Sequence, residues 1–319
     1  MATFSVPDQV PPVAEDCEKL RKAMQGLGTD EKAIISILAH RTARQRCSIR
    51  QIYVEKYGED LFKELEKELS GDFLRAVLVW MPHPAERDAM LAKEATTSPK
   101  KSLEDYFVIM EIGCTRTSQE LFQARQDYHD RYKRSLEEDV ACCTSGDFRK
   151  LLVPLVTCYR YEPHDEALVD TALVNSEAKI LHDKIFSDKD YSHEEIIRIL
   201  TTRSKPHLRA TLQNYNEQFG HPINKDLKTK PKDEYLALLR ATIKCLTCPE
   251  KHFEKALRLS MKGLGTKEET LTRVVVTRAE VDMKPIMEQY QRKNNVPLVN
   301  DTKGDTSGDY LRMLLALIN

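Results

Sequence analysis

Apolar residues recur along the chain at intervals of three and four, as in Ile34, Ile37 and Leu38 and again in Ile49, Ile52 and Tyr53, with good helix formers between them. No stretch alternates apolar and polar residues over the length of a strand, so the pattern predicts an all-α fold. Helix punctuation falls between the apolar runs. Gly58 stops one segment, Ser70 and Gly71 stop and restart another, Pro82 ends a third, and Pro84 can open a fourth at its first turn.

The pattern repeats. Arg41, Arg116, Arg203 and Arg278 are each followed twelve residues later by a tyrosine, namely Tyr53, Tyr128, Tyr215 and Tyr290. Counting 32 residues on from each arginine gives Phe73, Phe148, Tyr235 and Tyr310, each preceded by an acid: Asp72, Asp147, Glu234 and Asp309. The arginines are 75, 87 and 75 residues apart, so twelve extra residues lie between the second and third copies, around Arg160 to Asn175, the expected hinge between two halves. Each copy is large enough to bury a core, which predicts four compact helical units packed together in preference to a thin solenoid. The arginine stands at the C-terminal end of its helix, where a guanidinium suits free carbonyls, and is read as a structural clamp.

Composition narrows the class. With 49 Lys and Arg against 50 Asp and Glu in 319 residues, the chain lacks the basic field that nonspecific nucleic-acid binding needs, so no nucleic-acid partner is expected. No apolar run approaches the length of a membrane span and no secretory signal is visible, which makes the cytoplasm the expected location and the membrane surface the only membrane role open. The eight cysteines are expected to stay reduced, and Cys245 and Cys248, a lone C-x-x-C running into Pro249, are read as helical packing in preference to zinc or redox chemistry.

Chemistry enters with glycine. Gly26 and Gly28 in the first copy and Gly263 and Gly265 in the fourth belong to the string Met-x-Gly-Leu-Gly-Thr, while the middle copies have Lys101 and Leu103, then Asp188 and Asp190. Twenty-seven residues after the arginine the first and fourth copies have Glu68 and Asp305, whereas the others have Cys143 and Lys230. Glycine loop and carboxylate are kept or lost together, which suggests that they serve one site. Carbonyls of Met24, Gly26 and Gly28 with a bidentate Glu68, and Met261, Gly263, Gly265 with Asp305, form hard oxygen sets suited to Ca²⁺. Such a set falls short of the six to eight oxygens calcium takes, so an anionic headgroup can complete it. Leu27 and Leu264, between the glycines, would contact lipid at the loop crest. Two other readings stand beside this one: a helix start, with Thr266 capping and Glu269 completing a capping box, and a phosphate-cradling loop, for which G-x-x-x-x-G-K-[ST] is absent.

The fourfold repeat, the Met-x-Gly-Leu-Gly-Thr strings and the acid about forty residues later resemble the annexins over essentially the whole chain after residue 14. The short N-terminal arm and strings such as EKYGEDL and SGDFRKLLV look like the plant branch. The resemblance implies four repeats of about five helices each, packed as a curved disc with calcium loops on its convex face. It divides the chain into an arm (1–13), repeat 1 (14–83), repeat 2 (84–159), a linker (160–176), repeat 3 (177–248) and repeat 4 (249–319). It implies reversible, calcium-dependent binding to anionic phospholipid through repeats 1 and 4, at the plasma membrane or endomembranes when calcium rises, with oligomers on the membrane and a role in stress response. Thr29 and Glu31 would hold a weaker neighbouring ion, and Lys189, at the crest position of repeat 3, would touch lipid phosphate without calcium.

The same resemblance brings activities that the residues support less. His40, where the other copies have Thr115, Thr202 and Thr277, is the candidate haem ligand of a peroxidase-like enzyme. Asp305-Thr306-Ser307-Gly308 matches a D-x-x-G motif of GTP- or ATP-hydrolysing proteins, but no P-loop accompanies it. Ile197-Arg198-Ile199 is the triplet linked to actin, and Cys114 with Cys245 match a proposed redox pair. The chain is thus read as a binding module, with a membrane-associated haem or nucleotide enzyme as the alternative and no catalytic residue assigned.

Overall fold

The computed structural model describes every residue except Leu27, Cys158, residues 163–168, Pro231, Leu264 and Asn319. Its described residues contain twenty α-helices, one π-helical turn and no strand. The helices come in fives. The first copy has α1 (Val13–Ala23), α2 (Glu31–Leu38), α3 (Ala43–Tyr57), α4 (Leu61–Glu68) and α5 (Gly71–Trp80). The second has α6 (Pro84–Thr97), α7 (Leu103–Thr115), α8 (Ser118–Tyr132), α9 (Leu136–Cys143) and α10 (Gly146–Thr157). The third has α11 (Thr171–His182), continued by the π turn Asp183–Ser187, then α12 (Glu194–Thr202), α13 (Lys205–Phe219), α14 (Ile223–Asp226) and α15 (Glu234–Thr247). The fourth has α16 (Pro249–Ser260), α17 (Glu268–Arg278), α18 (Met283–Asn294), α19 (Leu298–Asp305) and α20 (Gly308–Ile318).

These groups assemble into two compact units, Met1–Arg87 with Glu250–Asn319, and Asp88–Pro249. Copies are therefore paired first with fourth and second with third, which corrects the expectation of a hinge between two sequence halves near Arg160 to Asn175. That stretch lies inside the second unit, α11 begins within it at Thr171, and its centre (163–168) is outside the described residues. In the first unit α5 packs on α17 and α20, and α2 on α20; Ile34, Leu38, Val77, Val275 and Leu314 are buried there. In the second, α7 packs on α10 and α15, and α10 on α12. The second and fifth helices of each copy thus supply the apolar contact, a full side-chain burial stabilising by about 1.5–3 kcal/mol each.

The arginine ruler has a buried acid as its counterpart. Arg41 makes paired bonds to Asp16 on α1, Nε to Oδ2 at 2.7 Å and Nη2 to Oδ1 at 2.8 Å, with both side chains almost fully buried. Carbonyl capping, the expected role, is secondary, limited to one bond to His40 O. Arg116 takes Asp88, one turn earlier on its helix, and Arg203 takes Glu177. The π turn Asp183–Ser187 absorbs one extra residue in the third copy, which keeps Glu177 level with Asp16. In the fourth copy Phe253 stands at the acid's place; Arg278 lies 4.7 Å over its ring and turns its Nε to Asp282 at 2.6 Å.

In the first three copies the residue after the arginine caps the third helix. Thr42 and Thr117 form capping boxes with Gln45 and Glu120, and Ser204 caps through His207 N–H. Ala279 has no hydroxyl for this, and α18 starts later, at Met283. The ruler tyrosines are all buried, and three of them donate to an acid of the fourth helix: Tyr128 to Asp139, Tyr215 to Asp226 and Tyr290 to Asp301, at 2.6–2.7 Å. Trp80 donates its indole N–H to Leu38 O at 2.7 Å, beneath the Arg46 guanidinium 3.7 Å from its ring and beside Phe4.

Two outcomes follow. Asp16→Ala should destabilise by about 3–5 kcal/mol in a urea melt followed by circular dichroism, because it strands a buried guanidinium, whereas Glu15→Ala, which loses an exposed pair with Lys19, should cost less than about 1 kcal/mol. Burial pushes the Glu177 carboxyl up, but hydrogen bonds from Arg203 and His207 outweigh it and hold the group below its ordinary value. Its stabilisation is therefore complete above the unfolded value of about 4.3 and is lost as pH falls through the lower folded value, so Glu177→Gln should flatten the acid limb of the stability curve.

Candidate functional site

The loop between α1 and α2 follows directly from helix termination. Met24 ends α1, its N–H bonded back to Leu20 and Arg21 carbonyls, and the loop closes where Asp30 donates to Ala23 O at 2.8 Å while capping Ala33 with its side chain. The fourth copy repeats the closure, with Lys267 N–H on Ser260 O at 2.7 Å. Between these points Gly26 and Gly28 have φ of 114° and 91°, and Gly263 and Gly265 122° and 90°. A Cβ on any of them would meet nothing within 4 Å, so the backbone conformation alone demands glycine.

The second half of each site comes from the end of the fourth helix. Thr29 donates its hydroxyl to Glu68 Oε2 at 3.0 Å, and Thr266 donates to the Asp305 carbonyl at 3.0 Å. The final residue of Met-x-Gly-Leu-Gly-Thr thus ties the loop to the end of the fourth helix, through the carboxylate in the first copy and the main-chain carbonyl in the fourth. This displaces the capping-box reading: α17 begins after Lys267 with no side-chain cap, and Thr266 is engaged elsewhere. Met24 and Glu68, like Met261 and Asp305, lie at helix C-terminal ends, where unpaired carbonyls and the helix dipole add negative potential to the carboxylate.

The donor set fits a hard cation. Among the described residues no three His, Cys, Asp or Glu side chains converge to hold a metal; main-chain oxygens with a carboxylate are donors of the kind calcium takes. Both middle copies fill the space differently. Lys101 donates its ammonium to Ala95 O at 3.2 Å, and Cys143, in Glu68's place, is a half-buried thiol pushed up by burial. In the third copy Asp188 is paired with Lys184 at 2.8 Å, and Tyr191, at the threonine position, bonds Thr229. Lys189 is exposed, with φ of 55°. Leu27 and Leu264 lie outside the described residues.

The remaining candidates are scattered. His40 places Nδ1 2.9 Å from the Ser5 carbonyl of the N-terminal arm, whereas Thr115, Thr202 and Thr277 bond back into their own helices. Ile197 and Ile199 are buried, and Arg198 between them pairs with Glu177 and Glu195. Cys114 and Cys245 are buried thiols on the packed helices α7 and α15, and the seven described cysteines form no disulfide. No helix among the described residues is long and apolar enough to cross a membrane.

One feature of the first unit had no sequence signal. Glu68 and Asp305 line the same cavity, of about 400 Å³, together with Glu31, Glu268, Asp72 and Asp309. Each first-copy residue has its fourth-copy equivalent opposite, 237 residues on, with Phe73 and Tyr310 as a further pair.

Comparison with known proteins identifies the family. The Annexin family model matches four times, at residues 15–80, 87–155, 176–241 and 252–317. Annexin D2 of Arabidopsis thaliana is 56% identical over 100% of this chain and 98% of its own, and annexin Gh1 of Gossypium hirsutum 58% identical over 99% and 98%. Among solved structures, annexin III superimposes with a TM-score of 0.90 at 32% identity, covering 99% of this chain and 96% of that one. A calcium-bound annexin (Sm)1 gives 0.83 at 28%, covering 100% and 93%. The chain therefore belongs to the annexin family, with plant annexins among its relatives, and that family binds phospholipid membranes peripherally in a calcium-dependent manner.

The positive φ at Gly26 predicts a sign reversal between two identical substitutions. Gly26→Ala should destabilise by about 1–2 kcal/mol in a thermal or urea melt, while Gly304→Ala, inside α19 with free space around it, should stabilise by about 0.5–1 kcal/mol.

Proposed function

We propose that this annexin binds anionic phospholipid reversibly through two calcium sites, held by Met24, Gly26, Gly28 and Glu68 in repeat 1 and by Met261, Gly263, Gly265 and Asp305 in repeat 4. The observation that carries this reading is the threonine tie, present in both copies that keep the carboxylate: Thr29 bonds the Glu68 carboxylate and Thr266 the main-chain carbonyl of Asp305. It holds a glycine loop and an acid from distant parts of the chain side by side before any ion arrives, so little ordering remains to oppose binding. Bound calcium supplies a positive centre with ligand positions left for a phosphate oxygen.

The chain's own residues do the rest. The glycines allow the carbonyls to serve as donors, the single carboxylate leaves net positive charge for an anionic headgroup to neutralise, and the helix C-termini raise the affinity of the site for a cation. Repeats 2 and 3 lack both glycines and acid, so calcium is assigned to repeats 1 and 4 alone, with Lys189 of repeat 3 touching lipid phosphate directly. Leu27 and Leu264 contribute apolar contact at the interface.

Sedimentation with phosphatidylserine vesicles across a calcium series tests the assignment. Glu68→Gln combined with Asp305→Asn should raise the calcium needed for half-maximal binding at least about tenfold while the helical spectrum is kept, because each site loses its only charged ligand. An unchanged requirement in the double variant overturns it.

A further inference from the structure

The acids that precede the ruler aromatics, Asp72 and Asp309, belong to no calcium loop, yet both face the cavity that Glu68 and Asp305 line. The carboxylates line one open-sided cavity of about 400 Å³, and charges within a screening length of about 8 Å at physiological salt feel one another. Glu31 and Glu268 bring the lining carboxylates to six. The Tyr310 phenol of repeat 4 is pushed up to about 12, first by burial, against the hydrogen bond with Thr272, with the carboxylates of Asp72 in repeat 1 and Glu268 adding to the rise. Asp309 is paired with Arg312 on its own helix, as the equivalent acid of repeat 2, Asp147, is with Lys150, and what distinguishes Asp309 is its place in the cavity lining.

We propose that the two calcium sites of this unit are coupled through the shared carboxylates, Asp72 and Asp309 acting as non-ligating residues that set the calcium affinity of the opposite repeat as well as their own. An ion in one loop cancels part of the field that attracts the second, so the sites fill anticooperatively in the absence of lipid. No third ion is invoked. The inference rests on the calcium reading above and adds the charge that links its two halves.

Single-site backgrounds test it. In Glu68→Gln the repeat 4 loop alone remains, and adding Asp72→Asn, an isosteric change on the other repeat, should raise the calcium half-point for phosphatidylserine vesicle sedimentation about two- to threefold at 20 mM salt, the shift fading at 500 mM. Asp72→Glu in the same background should leave the half-point where it was, as should Asp147→Asn. Equilibrium dialysis of calcium without vesicles should show the second ion binding more weakly to the wild-type chain than the repeat 4 loop binds its ion in Glu68→Gln. A Glu68→Gln protein that keeps calcium-dependent sedimentation but ignores Asp72→Asn overturns the coupling and leaves the calcium sites standing. Loss of all calcium dependence in both Glu68→Gln alone and Asp305→Asn alone, with helicity retained, overturns the proposal by removing the two independent sites it joins.

Discussion

An ion pair between the first and second helices holds the first three copies in register, and the candidate calcium loop is the segment between those two helices. Arg41 and Asp16 clamp α1 to α2, so the six residues from Gln25 to Asp30 must turn within a fixed span. A loop so constrained reaches positive φ at Gly26 and Gly28 without paying for an ordered open end. The other copies keep the pairing by different means, with Asp88 one turn away, Glu177 brought level by a π turn, and Phe253 offering a ring face where an acid is missing. The same demand met by four chemistries marks the clamp as the constraint and the loop as the part free to vary.

Much of this was legible in the residues because the repeat lies in the interior. The arginine, the tyrosine twelve residues on and the aromatic after an acid are all packing positions, and packing tolerates little drift in spacing. The site was legible for another reason: two copies lost glycines and carboxylate together, which links positions that no local pattern connects. A cap role for Thr266 stands as an alternative in the sequence because a hydroxyl at the start of a helix can serve either purpose, and only the approach of Asp305 decides between them.

Pairing between copies left no trace in spacing. Contacts of the first repeat with the fourth join residues from opposite ends of the chain, and the extra residues between the second and third copies look like a division although they sit inside a unit. The acids before the ruler aromatics were visible as a pattern, but their shared cavity in the first unit appears only when α5 and α20 are placed side by side. A position constant in all four copies can thus keep the same local ion pair, as Asp147 and Asp309 do, and still face a cavity in one unit.

Trp80 is the single tryptophan of the chain, and it is buried in the first unit against Arg46 and Phe4. Its indole is therefore an optical label that reports on one half of the molecule. Emission near that wavelength is silent about Asp88–Pro249, whose aromatic signal comes from tyrosine and phenylalanine.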